Sequence, residues 1–396
     1  MRLSGDVHLT YCSNIHPGES WAEVEAALRE HVPQIRKQLA HEGPFGLGLR
    51  LSARAARTLR DPEAQAAFRR WLAAEDAYVF TLNGFPYGPF HGTPVKEAVY
   101  RPDWSTPERV DYTHDLIEVL AALLPRDLRG SISTVPGAFR RDPASNAPET
   151  VAEGLLRAAV ACWTVAQREG LELSIGVEPE PMCMLETTDE AVTFFEEHLF
   201  RRAAIERFAT LAKCSASDAE CAIRRHLGLC FDTCHAAVEF EDPAQSARRI
   251  EAAGVRIAKI QVTAGLELPD PTPEGLERLS AFAEGVYLHQ VVVRAADGLI
   301  RILDLPEALE RARGGVLPSG PWRVHLHVPV CDPLEPPLRS TAPFVRDILP
   351  RIGARCDHFE VETYTWSVLP SSVRARPLAT SIADELRWTR ATWRSR

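Results

Sequence analysis

The chain has 396 residues, 45% of them hydrophobic and 25% charged, which fits a globular protein with a sizeable core. Its net charge of −9 argues against nucleic acid as the main partner, because phosphate binding needs a basic face. No apolar run approaches the roughly 20 residues of a membrane span, and nine cysteines without paired spacing predict reduced thiols in a cytoplasm rather than a disulfide framework.

Short β-rich runs alternate with longer helical stretches along the chain. Val7–Asn14 reads as the first strand, and the polar Asp6 and His8 break its apolar character, so no signal peptide is expected. Helix Trp21–His41 follows, then strand Gly46–Leu51, helix Pro62–Ala74, strand Tyr78–Asn83, helix Pro107–Leu124 and strand Ser131–Val135. The alternation continues with helix Pro148–Gly170, strand Leu173–Glu178, helices Thr188–Leu199 and Ser217–Leu227, and strands Leu227–Asp232 and Ile257–Thr263. Residues 264–322 break the rhythm. Val286–Arg294 and Leu299–Leu303 flank Asp297-Gly298 as an inserted β-hairpin, followed by a short helix Leu305–Arg313. Strand Arg323–Val328, helix Ala342–Ile352 and strand His358–Thr363 complete the pattern, and the basic end Arg387–Arg396 reads as a solvated tail. Alternating β and α elements without a composition break predict an α/β (β/α)8 TIM barrel, a single domain over 1–396 with its insertion at about 264–322. Nine strand candidates are one more than such a barrel holds.

Polar motifs gather at the ends of these strands. Cys230-Phe-Asp232-Thr-Cys-His235 ends an apolar run, and Asp232 and His235 can share a site only if the strand stops near Thr233 and the chain turns. That geometry belongs to the C-terminal mouth of a (β/α) barrel, although an Asp–His pair also serves as a structural hydrogen bond. Glu178 and Glu180 share one face before prolines stop the strand, as a cation site or as a salt bridge to arginine or a helix N-cap. His325 and His327 share a face of their strand, with His327 nearer its end and His325 readable as a satisfied core histidine. Glu360 and Glu362 repeat the alternation, Glu362 nearest the mouth. Together the motifs fit one metal site with oxygen and imidazole ligands. Lys96 could pair with an anionic substrate, though a solvated lysine is the commoner case. Cys12, Cys230, Cys234 and Cys331 read as small packing residues.

Gly176-Val-Glu178, Phe231-Asp232-Thr-Cys-His235-Ala-Ala-Val-Glu-Phe-Glu241 and Glu362 resemble the xylose-isomerase-like TIM-barrel superfamily, which includes ketose 3-epimerases, sugar-phosphate isomerases and endonuclease IV. A closer resemblance, running nearly end to end, is to the metabolite-traffic protein EboE family. It rests on Leu9-Thr-Tyr-Cys-Ser-Asn14-Ile-His16-Pro-Gly-Glu-Ser-Trp21, Asn83-Gly-Phe-Pro-Tyr87-Gly-Pro-Phe-His91-Gly, Val95-Lys96-Glu97-Ala-Val-Tyr-Arg-Pro-Asp103-Trp104 and Glu362-Thr-Tyr-Thr-Trp366. That family implies an operon for processing or exporting secondary metabolites, with other operon products as partners. The superfamily implies one divalent metal (Mn, Co, Zn or Mg) held by Glu178, Asp232, a seventh-strand histidine and Glu362. If Lys259-Ile-Gln261-Val-Thr263 is the seventh strand, Gln261 stands where that histidine belongs. If Arg323–Val328 is the seventh strand, His327 completes the set, and this second assignment is preferred because only a loop and helix separate it from the strand of Glu362.

The expected function is a metal-dependent isomerase or epimerase acting on a small hydroxylated metabolite, with Glu178 and Glu362 exchanging protons with carbon while the metal polarises a carbonyl. His235, Gln261, Asn14, His16, Asn83, His325, Glu180 and Glu360 are the expected substrate-binding residues. The alternatives are a non-catalytic carrier in metabolite traffic and, less favoured on charge, an abasic-site endonuclease.

Overall fold

A computed structural model describes residues 1–394. Eight parallel strands follow one another around a barrel: Val7–Tyr11, Phe45–Arg50, Ala77–Asn83, Gly130–Thr134, Leu173–Val177, Leu227–Asp232, Ile257–Val262 and His358–Val361. From the second to the eighth, each pairs in parallel with its sequence neighbours, and the eighth pairs with the first, His358 opposite His8 and Val361 opposite Tyr11. A parallel bridge between Cys12 and Gly48 closes the seam between the first and second strands. A short strand, Arg2–Ser4, folds back antiparallel on the first. Strands buried on both faces carry almost continuous apolar sequence, as in Leu227-Gly-Leu-Cys-Phe, because helices cover the outside.

Most helices keep their expected limits. Pro62–Ala74 and Ala342–Ile352 match residue for residue, and Trp21–Leu39, Pro107–Leu123 and Pro148–Glu169 end within two residues of expectation. Trp21–Leu39 starts in a capping box, with Ser20 receiving the Glu23 amide while the Glu23 carboxylate receives the Ser20 amide. The segment ending in Arg387–Arg394 is not a solvated tail. It lies in a helix, Leu378–Arg394, whose Ile382, Leu386 and Trp393 are buried. Residues 395 and 396 lie outside the described residues. Its spacing of apolar residues is helical, but polar and basic residues between them masked that in the sequence.

The ninth strand candidate is explained by the insertion, and the preferred assignment is corrected. The seventh barrel strand is Ile257–Val262, so Gln261 is the seventh-strand residue, opposite Asp232 on one side and Glu360 on the other. Trp322–Val328 belongs to a second, five-stranded sheet, with order Gly298–Ile302, Val291–Ala295, Trp322–Val328, Ala264–Leu268 and Arg339–Ser340. All its pairs are antiparallel. The expected hairpin is present as Val291–Ala295 and Gly298–Ile302, with Ala295 opposite Gly298, and forms one edge of this sheet. The seventh strand runs through Thr263 directly into Ala264–Leu268, and Trp322–Val328 returns against it, Val328 opposite Ala264. An antiparallel return brings the C-terminal end of Trp322–Val328 back to the barrel mouth.

Below the mouth the barrel interior holds an ion pair, Lys259 Nζ donating to Glu360 Oε2 at 2.5 Å, with both side chains fully buried. Gly48 is required beside it, since a Cβ there would lie 1.9 Å from Glu360 Oε1. Breaking a buried pair leaves a charge without compensation. Lys259→Met is therefore expected to cost about 3–5 kcal/mol in chemical denaturation, and adding Glu360→Met should recover most of that loss. Equal losses in the single and double variants would contradict this account.

Candidate functional site

The Asp232 carboxylate ends the sixth strand and starts the next helix. Its Oδ1 accepts from the backbone amides of Cys234 at 2.6 Å and His235 at 3.2 Å, capping helix Thr233–Val238. The strand thus stops where the spacing required, and His235 turns into the mouth. There its ring meets two histidines of the inserted sheet. His235 Nε2 lies 3.0 Å from His325 Nε2, His325 Nε2 3.2 Å from His327 Nε2, and His327 Nε2 3.4 Å from His235 Nε2. The three rings are buried. Their period-two spacing on Trp322–Val328 puts His325 and His327 on one face.

Each ring is held by its other nitrogen. His235 Nδ1 donates to the Pro179 carbonyl at 2.8 Å and His327 Nδ1 to the Glu362 carbonyl at 2.7 Å. His325 Nδ1 meets Gln290 Oε1 at 2.7 Å. The orientation of Gln290 is set by its Nε2, which donates to the Pro181 carbonyl at 3.2 Å and to Tyr100 Oη at 2.7 Å. Tyr100 in turn donates to Glu180 Oε1 at 2.6 Å. Burial lowers the pKa of His235 to about 3 and of His327 to about 4, and drives His325 well below the ordinary value.

Three carboxyls adjoin the imidazoles. Ligand atoms of Glu178, Asp232 and His235 lie within 4.8 Å of one another, as do those of Asp232, Cys234 and His327. Glu362 Oε1 accepts from Asn14 Nδ2 and from Asn83 Nδ2, each at 2.7 Å, and its Oε2 is 3.8 Å from His327 Nδ1. Among the described residues none of the three forms an ion pair with arginine or lysine. Burial raises the pKa of all three, and the neighbouring carboxylates push Glu178 and Glu362 up further. Glu180 is pushed up to about 8 by burial, against the opposing hydrogen bond from Tyr100. Glu178 Oε2, Asp232 Oδ2 and Gln261 Nε2 are buried without a hydrogen-bond partner. Buried polar atoms without partners are costly. This donor set fits a divalent cation, which would neutralise the crowded carboxyls and use the bare imidazole nitrogens.

A cleft open to solvent lies over the cluster. Asn14, Glu178, Glu180, His235, His325, His327 and Glu362 line it, and Phe85, Phe90, Val99, Tyr287 and Tyr364 form apolar walls. Four other expected residues lie elsewhere or are already engaged. Asn83 reaches the site through Glu362. Gln261 sits below it, its Oε1 receiving the Cys230 thiol at 3.2 Å. Glu360 is sealed in the barrel by Lys259, because alternation puts it one layer deeper than Glu362. His16 stacks on His31 with ring centroids 4.1 Å apart and lies outside the cleft lining. Lys96 also lines the cleft, where its ammonium donates to Asp304 at 2.7 Å and to the Tyr287 carbonyl at 2.7 Å, so it is a paired rather than a solvated lysine. Tyr100, Gln290 and Tyr364 were not singled out from the sequence. Gln290 precedes an inserted strand and has no motif around it, so only tertiary proximity identifies it.

Neither a family model nor a curated protein matches this chain. Solved structures similar to it include the IolI protein with a binding zinc atom, at 10% identity and TM-score 0.47 over 97% of each chain. A D-tagatose 3-epimerase-like protein is similar at 11% identity and TM-score 0.48, over 97% of this chain and 98% of that one. A xylose isomerase domain containing protein from Salmonella typhimurium is similar at 12% identity and TM-score 0.42, over 99% of both chains. Likeness at these identities concerns the course of the backbone.

The loop after the eighth strand is held from behind by Glu385, whose Oε2 accepts from the Thr363 hydroxyl at 2.8 Å and the Val330 amide at 3.3 Å. Burial pushes its pKa up from 4.5 to about 8, despite those two bonds. A raised carboxyl pKa contributes stability that is full below the unfolded value and is lost as pH rises through the folded one. Glu385→Gln keeps an acceptor oxygen and removes this dependence. Its Tm relative to the unsubstituted protein should therefore rise between about pH 5 and about pH 8, by roughly 2 °C or more. A difference independent of pH would contradict the assignment.

Proposed function

We propose that the protein is a divalent-metal-dependent isomerase or epimerase acting on a small hydroxylated metabolite. The observation that carries this reading is the pair Glu178 and Glu362. They enter one cleft from the fifth and eighth strands, are buried, and are free of arginine and lysine partners among the described residues. Carboxyls whose pKa is raised by burial are suited to exchanging protons near neutral pH. A cation held at the imidazole cluster beside these carboxyls would supply Lewis-acid polarisation of a carbonyl.

In this reading Asn14 and Asn83 fix one oxygen of Glu362, which leaves the other to take a proton from the carbon beside the carbonyl. Glu178, held protonated by burial, delivers its own proton to the carbon, and Glu362 is left protonated until it exchanges with solvent. The aromatic and aliphatic walls exclude water and suit a metabolite with an apolar portion beyond its hydroxylated end. The inserted sheet supplies His325 and His327, so the reading takes the chain as one functional unit. The EboE-like motifs extend the proposal to secondary-metabolite processing or export in the cytoplasm, alongside products of the same operon.

The test is hydrogen–deuterium exchange at the carbonyl-adjacent carbon of candidate metabolites, which detects enolisation before a product is known. Glu362→Gln should lower exchange by roughly 10²–10⁴-fold, with metal content unchanged in the same preparation. If several metabolites bind the metal-loaded protein and none exchanges, the enzyme reading fails in favour of a carrier.

A further inference from the structure

We propose that His235, His325 and His327 form a three-imidazole site for a borderline transition-metal cation, zinc or cobalt, leaving Glu178 and Glu362 unligated for proton transfer. This deepens the reading above by naming the atoms that hold the cation.

The argument begins with the tautomers. The acceptors of His235 Nδ1 and His327 Nδ1 are backbone carbonyls, which donate nothing, so both nitrogens carry the proton. Gln290 Nε2 faces the Pro181 carbonyl, so Oε1 faces His325 Nδ1, and that nitrogen is protonated as well. In the neutral rings all three Nε2 atoms are therefore bare lone pairs, facing one another across 3.0, 3.2 and 3.4 Å. No member of the trio can donate to another. A capping water would bring two protons to three acceptors.

A cation resolves this arrangement. With metal–nitrogen bonds of about 2.0–2.1 Å, the edge of a tetrahedron is about 3.3 Å, close to all three separations. Each ring also has the partner that metal-bound histidines show, its second nitrogen donating to a fixed oxygen. The chain from His325 through Gln290 and Tyr100 to Glu180 fixes one of these rings with buried side chains alone. Three protein ligands leave one position for substrate or water, the pattern of catalytic rather than structural zinc sites. Three neutral imidazoles favour zinc or cobalt over magnesium, which prefers oxygen. His327 has only one nitrogen to offer, and the tripod takes it. The carboxyl set is thereby left without an imidazole, since its seventh-strand position holds Gln261.

X-ray absorption of the full-length protein reconstituted with one equivalent of zinc tests this without any variant. Three imidazole scatterers are expected. A first shell dominated by carboxylate oxygen, with one imidazole or none, would overturn the proposal, as would failure to bind zinc stoichiometrically. In zinc competition titrations Gln290→Leu should weaken binding by roughly 10–100-fold, and His325→Ala should weaken it more. Glu178→Gln should stay within about threefold of the unsubstituted protein, since it removes no ligand of the tripod. The reverse order of sensitivity would also overturn the proposal. Zinc on three imidazoles without proton exchange on any metabolite would defeat the isomerase reading and leave this site standing. Proton exchange with an oxygen-ligated metal would do the opposite.

Discussion

The mouth of this barrel is governed by the absence of compensating donors. Three imidazoles present bare nitrogens to one another, and three carboxyls beside them are buried without an arginine or lysine partner among the described residues. A folded protein seldom tolerates one unsatisfied buried charge or lone pair, because each costs on the order of 1–3 kcal/mol. Holding six such groups together requires that most be fixed by a bond pointing away from the centre. The backbone carbonyls of Pro179 and Glu362, the Gln290 amide, the two asparagines on Glu362 and the helix cap on Asp232 do this for five of the six, and Glu178 keeps an unpartnered oxygen. The same frame keeps the rings from turning away to satisfy themselves.

The architecture explains how residues from distant parts of the chain reach that centre. The seventh barrel strand does not turn into a helix at the mouth. It continues into a second sheet, and the antiparallel partner of that continuation returns His325 and His327 to the place it left. The barrel supplies acids at the ends of its fifth, sixth and eighth strands, and the insertion supplies imidazoles from outside. Below them, Lys259 and Glu360 fill the interior as a matched pair. The lysine hydrogen-bonds Glu360, and its charge acts on Glu178 and Glu362 above only through space, too weakly to offset their burial.

Much of this was legible in the sequence because it depends on local spacing. Alternating apolar runs and helical stretches specify barrel strands and helices, and eight of nine strand candidates are in the barrel. Asp232-x-x-His235 required a strand end and a turn, and a helix starts there. The parity of His325 and His327 put both on one face, and position near a strand end marked Glu362 as the outer acid and Glu360 as the inner one.

What the sequence determined by itself is therefore the set of elements, the face on which each polar residue stands and its distance from a strand end, since backbone periods of 2 and 3.6 residues set these locally. Tertiary structure alone decided which strand is seventh. Ile257–Val262 and Trp322–Val328 are both short and apolar, and only pairing separates a barrel strand from one in the inserted sheet. Tertiary structure alone also decided the partners: Lys259 for Glu360, His31 for His16, Asp304 for Lys96, and Gln290 for His325. Those contacts join residues far apart in the chain. Local spacing carries no information about them, because the distance between two side chains depends on how whole elements pack.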